Sequence, residues 1–201
     1  MRRPRTCNLK ANTNHPTRTK ALEAKNAYLV QEASKMAFAA LSVAKKKLEA
    51  PLAKLEEILL HAPQDIDALL MKGNIIDLYF SSLHEIHEIA RSCYKEVLIL
   101  VPSNVCALID MGDWYAAENE YKESIRFYNK AIRLLKCGQF YRSRVNELEE
   151  AYMGKISALK DSKRFMDARQ CAKEGLRYCP ESNVLRSWIS TKKSMGSGLL
   201  S

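Results

Sequence analysis

Residues 105–138 read VCALIDMGDWYAAENEYKESIRFYNKAIRLLKCG, and their pattern decides the fold. Ala107, Leu108, Met111 and Tyr115 recur at three- and four-residue steps, as do Tyr121, Ile125, Tyr128, Ala131, Ile132 and Leu135. That is the spacing of two amphipathic helices, each with one apolar stripe. Asn104 stands where a side chain can cap the first helix, Asn119 marks the turn between them, and Gly138 suits a left-handed cap on the second. Gly112 predicts a place where the paired helices approach closely, with Tyr115, Tyr121 and Tyr128 filling the wedge around it.

The same pattern returns on both sides of this stretch. Pro63 and Pro102 are 39 residues apart, as are Gly73 and Gly112, whereas Tyr94 to Tyr128 and Val97 to Ala131 are separated by 34. The five extra residues fall at the joint from Phe80 to Glu88, where lengthening a loop costs little. Toward the C-terminus, Tyr128 and Ala131 reach Ala172 and Gly175 by a step of 44, which puts ten inserted residues in the Cys137 to Val145 linker. Helices are expected from Lys20 to about Leu48, from Pro51 to before Pro63, from Asp67 to near Ser81, and from Ala90 to Pro102. Further ones are expected from Arg142 to Lys160, from Phe165 to Tyr178, and from Ser182 with Val184, Leu185, Trp188 and Ile189 on one face. No stretch alternates with a strand's period of two, so the expected fold is all-α.

These residues resemble the tetratricopeptide-repeat family, whose unit is a 34-residue helix-turn-helix. The clearest copy is 105–138 (Leu108, Met111, Gly112, Tyr115, Tyr121, Ser124, Tyr128, Ala131). Copies at about 66–104 (Leu69, Gly73, Ala90, Tyr94, Val97, Pro102) and 149–182 (Tyr152, Leu159, Phe165, Ala168, Ala172, Gly175, Pro180) carry insertions, and one at about 32–65 (Phe38, Ala39, Leu48, Leu55, Ile58, Pro63) is degenerate. Asn119 replaces the family's usual Gly-Asp turn, and Lys136 stands where proline is typical. The resemblance implies an antiparallel helix-pair right-handed superhelix over 21–195 with a capping helix at 182–194, a basic tail at 1–20 and a flexible tail at 195–201.

Composition narrows the classes. The chain has 201 residues, of which 47% are hydrophobic and only seven are glycine, enough for a substantial core. No apolar segment approaches the roughly 20 residues that cross a bilayer, nor does a signal-like stretch stand near the start, so a soluble cytoplasmic protein is expected. The six cysteines (Cys7, Cys93, Cys106, Cys137, Cys171, Cys179) lie far apart and read as reduced thiols, not as zinc ligands or a disulfide framework. The net charge is +9, and residues 1–22 supply six of it through Arg2, Arg3, Arg5, Lys10, Arg18 and Lys20 with no acid. This tail reads as a solvated leader; its functional readings are an arm for phosphate backbones or a presequence, and its prolines count against the latter.

Chemistry-bearing motifs are few. His84, Glu85, His87 and Glu88 place two histidines three apart on one helix, whereas the zinc-protease motif needs them four apart with a further ligand. There is no phosphate-cradling glycine loop and no nucleophile elbow, so no catalysis, cofactor or metal is expected. In the family that the chain resembles, the first helix of each pair lines a groove. Asp110, Asp113 and Glu118 give residues 104–119 a net −3, while Lys122, Arg126, Lys130, Arg133 and Lys136 against Glu120 and Glu123 give 120–136 a net +3. The resemblance therefore implies an acidic groove formed by Asp67, Leu70, Asn74, Asp77, Ile109, Asp110, Asp113, Glu150 and Met153, taking a basic or amphipathic segment of another protein. Some relatives clamp chaperone C-terminal carboxylates with groove Lys, Arg and Asn residues; at the matching places this chain has Leu70, Asn74, Asp110, Glu150 and Gly154, which argues against such tails. The second functional reading is nucleic acid, RNA in particular, on Arg2, Arg3, Arg5, Arg126, Lys130, Arg133, Arg142 and Arg144.

Overall fold

The computed structural model describes residues 28–32, 48–80, 84–137 and 144–190, all of which are helix, turn or irregular, with no strand among them. After a helical stretch at 28–32, the helices are α1 (Glu49–His61), α2 (Ile66–Phe80), α3 (His84–Leu100), α4 (Val105–Ala117), α5 (Tyr121–Cys137), α6 (Val145–Asp161), α7 (Phe165–Leu176) and α8 (Asn183–Ser190). The expected helices that fall on the described residues are present, with ends displaced by a few residues; most of the one expected from Lys20 to about Leu48 lies outside the described residues. The basic tail, Phe38, Ala39, Gly138, Arg142 and the C-terminal tail lie outside the described residues.

The chain divides into two compact units, Met1–Ala107 and Leu108–Ser201, each built from helices packed on their neighbours in sequence. In the first unit, α1 packs on α2 through Leu55, Ile58, Ala68, Met71 and Ile75, and Leu29 and Val30 of the preceding stretch close over this cluster. Lys54 reaches Glu32 across it at 2.8 Å. α2 then packs on α3. In the second unit α5 packs on α6, α6 on α7, and α7 on α8.

What repeats is a set of contacts, not only a spacing. In the first unit the Tyr94 ring of α3 lies against Gly73 of α2, where a Cβ would stand 2.5 Å from the ring, and its hydroxyl donates to Asn74 Oδ1 at 2.9 Å. In the second, the Tyr128 ring of α5 lies against Gly112 of α4, where a Cβ would stand 2.7 Å away, and its hydroxyl donates to Asp113. Tyr94 and Tyr128 are 0% and 1% exposed. Only a residue lacking a side chain admits a buried ring this close, which is why glycine recurs at these two positions. Tyr115 and Tyr121 differ from the expected wedge: both are half-buried, Tyr115 stacking on Phe127 and Tyr121 donating to Asn119 Oδ1.

The punctuation repeats as well. Asp65, Asn104 and Ser182 each follow a proline by two residues and accept the N–H of Ala68, Ala107 and Leu185 at 3.1, 3.0 and 3.1 Å. Such caps stabilise a helix by about 1 kcal/mol each. At the other ends, α4 closes with Glu120 N–H bonded to Tyr115 O and Asn119 N–H to Ala116 O; α6 closes in the same way with Arg164 to Leu159 and Lys163 to Lys160. These paired bonds require a left-handed residue, and Asn119 and Lys163, 44 apart, both have φ of 63°. Asparagine tolerates that region well; lysine does so at the cost of crowding its Cβ.

Two expectations need correction. Val184 does not share the inward face of α8, being 45% exposed while Leu185 is fully buried; an eight-residue helix has room for one central inward row. Cys93, Cys137, Cys171 and Cys179 are free thiols, but Cys106 is disulfide-bonded. Cys7 lies outside the described residues.

Candidate functional site

The proposed groove residues fall on the first helix of each pair, and the structure sorts them by accessibility. In the first unit, Asp67 is exposed in the opening turn of α2, and Leu70 is buried at 5% exposure. Asn74 is half-buried and accepts from Tyr94. Asp77, also half-buried, lies 2.7 Å from Nε2 of His87, a histidine 1% exposed. In the second unit, Ile109 and Asp110 are 1% and 3% exposed, and Asp113 holds the Tyr128 hydroxyl. Glu150 and Met153 of α6 are half-buried. Leu70, Ile109 and Asp110 thus contribute packing and not accessible surface, whereas Asp67 is exposed and Asn74, Asp77, Asp113, Glu150 and Met153 are partly so. A helical stripe read from sequence distinguishes faces but does not report what covers each one.

The cations divide differently. Lys122, Arg126, Lys130 and Arg133 are all exposed on α5. Arg126 Nε donates to Glu123 at 2.7 Å while its guanidinium carbon sits 5.0 Å from the Phe127 ring centroid. Arg144, by contrast, pairs with Glu147 at 3.4 Å. Arg2, Arg3, Arg5 and Arg142 lie outside the described residues.

The histidine motif of α3 is partly engaged in structure: His87 faces Asp77, and Glu88 pairs with Arg91 at 3.0 Å. The side chains of His84 and Glu85 lie outside the description. Among the described residues no three His, Cys, Asp or Glu side chains gather as metal ligands. Burial pushes the thiols of Cys93, Cys171 and Cys179 up to about 11, leaving them protonated and poorly nucleophilic near neutrality. No described helix is long and apolar enough to cross a membrane.

One polar cluster escaped the sequence reading. Glu174 of α7 accepts from Lys136 of α5 and from the Tyr152 hydroxyl of α6, each at 2.9 Å, and the Lys136 ammonium sits 4.6 Å from the Tyr178 ring centroid. Its members come from four places in the chain, so no local motif announces it. Burial pushes the Glu174 carboxyl up, but hydrogen bonds from Lys136 and Tyr152 outweigh it and the carboxyl ends below its ordinary value of 4.5. A depressed carboxylate stabilises the fold above its unfolded value, and that contribution disappears as the pH falls through the lowered one. The stability difference between wild type and Glu174→Gln is therefore expected to shrink from pH 7 toward pH 3 in urea titrations. With Glu174 38% exposed, solvent screening holds the ion-pair part to about 1 kcal/mol or less.

No protein-family model matches the chain, and no curated protein matches it.

Proposed function

We propose that this chain is a non-catalytic helical-repeat module of the tetratricopeptide kind, a right-handed superhelix of helix pairs in the cytoplasm. Its task is to hold a basic or amphipathic segment of another protein against the acidic side of the first helix in each pair. The observation that carries the reading is the repeated wedge, a tyrosine seated on a glycine with its hydroxyl held by the next residue, at Tyr94–Gly73–Asn74 and again at Tyr128–Gly112–Asp113. Stacked pairs built this way serve chiefly as surfaces for extended or helical guests, because each pair adds area without adding a closed cavity. Asp67 on one unit, and Glu150 with Met153 on the other, supply accessible acid with apolar surface beside it. A basic guest is drawn toward that acid, and its apolar residues meet Met153, whose flexible thioether adapts to them.

The test is affinity purification from native cells with the full chain, followed by titration of the recovered partner. Asp67→Lys and Glu150→Lys, made separately, are each expected to weaken that partner about tenfold, about 1.4 kcal/mol. Unchanged affinity in both variants discards the acidic side as the binding surface.

A further inference from the structure

The exposed face of α5 is chemically unlike those of α3 and α7. At 100° per residue, Lys122, Arg126, Lys130 and Arg133 fall within an arc of about 80°, opposite the row formed by Ser124, Tyr128, Ala131 and Leu135. Among the described residues, Lys122, Lys130 and Arg133 make no ion pair, and the acid beside the stripe is Glu123, spent on Arg126. On α3, by comparison, Arg91 pairs with Glu88, and exposed Lys95 sits beside exposed Glu96. On α7, Asp167 pairs with Arg164 and Glu174 with Lys136. A solvated helix face ordinarily mixes the two signs as α3 and α7 do. The α5 stripe instead concentrates one sign.

A second feature lies beside the stripe. Tyr115 and Phe127 stack at 5.4 Å with an interplanar angle of 17°, and the Arg126 guanidinium lies over the Phe127 ring. Glu123 pairs with Arg126 at 2.7 Å, so the guanidinium is held beside the ring while its side chain stays 69% exposed. Two aromatic rings and an exposed guanidinium are thus gathered beside the row of cations.

We propose that this face binds single-stranded nucleic acid, with Lys122, Lys130 and Arg133 on phosphates of one strand and a base stacked on Arg126. Lys122, Arg126 and Lys130 advance by about 6 Å each along the axis, a step comparable to the phosphate repeat of an extended strand. Positive tracks joined to stacking platforms are the ordinary means of holding such strands, and arginine planes serve as platforms alongside aromatic rings. An anionic membrane fits less well, because α5 exposes no large apolar side chain to enter it and its apolar row is committed to the core. The proposal uses a different surface from the acidic side of α4 and α6 and stands or falls independently of it.

The test is fluorescence anisotropy with the full chain and labelled single-stranded RNA and DNA of about 20 nucleotides. Three neutralised phosphates give a salt slope near −2, so affinity is expected to fall roughly 20-fold between about 50 and 200 mM salt. The triple variant Lys122→Gln, Lys130→Gln, Arg133→Gln is expected to bind at least tenfold more weakly with a slope shallower by about 2. Arg126→Lys keeps the charge but loses the plane, and is expected to weaken binding several-fold with little change of slope. These positions are exposed, and circular dichroism checks that the variants stay helical. Three results overturn the proposal: no binding by wild type at low salt; binding that the triple variant leaves unchanged, which places it elsewhere on the chain; or capture by phosphatidylserine vesicles without capture of either oligonucleotide.

Discussion

Replacing Tyr128 by alanine is expected to lower the stability of the second unit by about 4 kcal/mol, the cost of emptying a large aromatic site in a packed core. The ring is 1% exposed and is shared, lying against Gly112 of α4 on one side and Gly154 of α6 on the other. Neither glycine can move a side chain into the vacated volume, so the cavity persists and the full penalty applies. Tyr128→Phe separates the ring from its hydroxyl: losing the bond to Asp113 is expected to cost about 1 to 2 kcal/mol. Urea denaturation of both variants reads the two quantities. A loss of less than about 1 kcal/mol for the alanine variant would show that the ring is not the wedge described above.

The second large effect comes from the opposite change, filling the gap instead of emptying it. A Cβ at Gly154 would collide with the Tyr128 ring and its hydroxyl oxygen. Gly154→Val is expected to destabilise by about 3 kcal/mol, overpacking outweighing the few tenths gained by replacing glycine within a helix. The same substitution in a Tyr128→Leu background should cost markedly less, because the atoms it strikes are gone, and the difference between the two measurements isolates the coupling. Equal penalties in both backgrounds would locate the conflict with another neighbour.

The particular residues show which levels of structure the sequence carries openly. Proline followed two positions later by a capping side chain is a local signal, and Asn104 caps α4 as its position implies. The recurrence of glycine and tyrosine at related distances is likewise visible without coordinates, since each marks one end of the same contact. The His87–Asp77 pair was not visible, because it spans the inserted joint between α2 and α3 and no repeat constrains that length. The burial of Asp110 was hidden for a different reason: a charge on a helix ordinarily predicts an exposed face, and only tertiary packing reverses it. Lys163 at positive φ belongs with these, a residue whose own preference is overruled by the paired bonds that end α6.

Because a single phenol wedges against two different hairpins, neither can loosen without disturbing the other's seat. Melting of residues 108–190 should accordingly proceed as one transition instead of fraying hairpin by hairpin, and slow amide exchange should report a common opening for the middle turns of α4, α5 and α6. Within this unit, α4 and α6 thus share one aromatic rivet set between them.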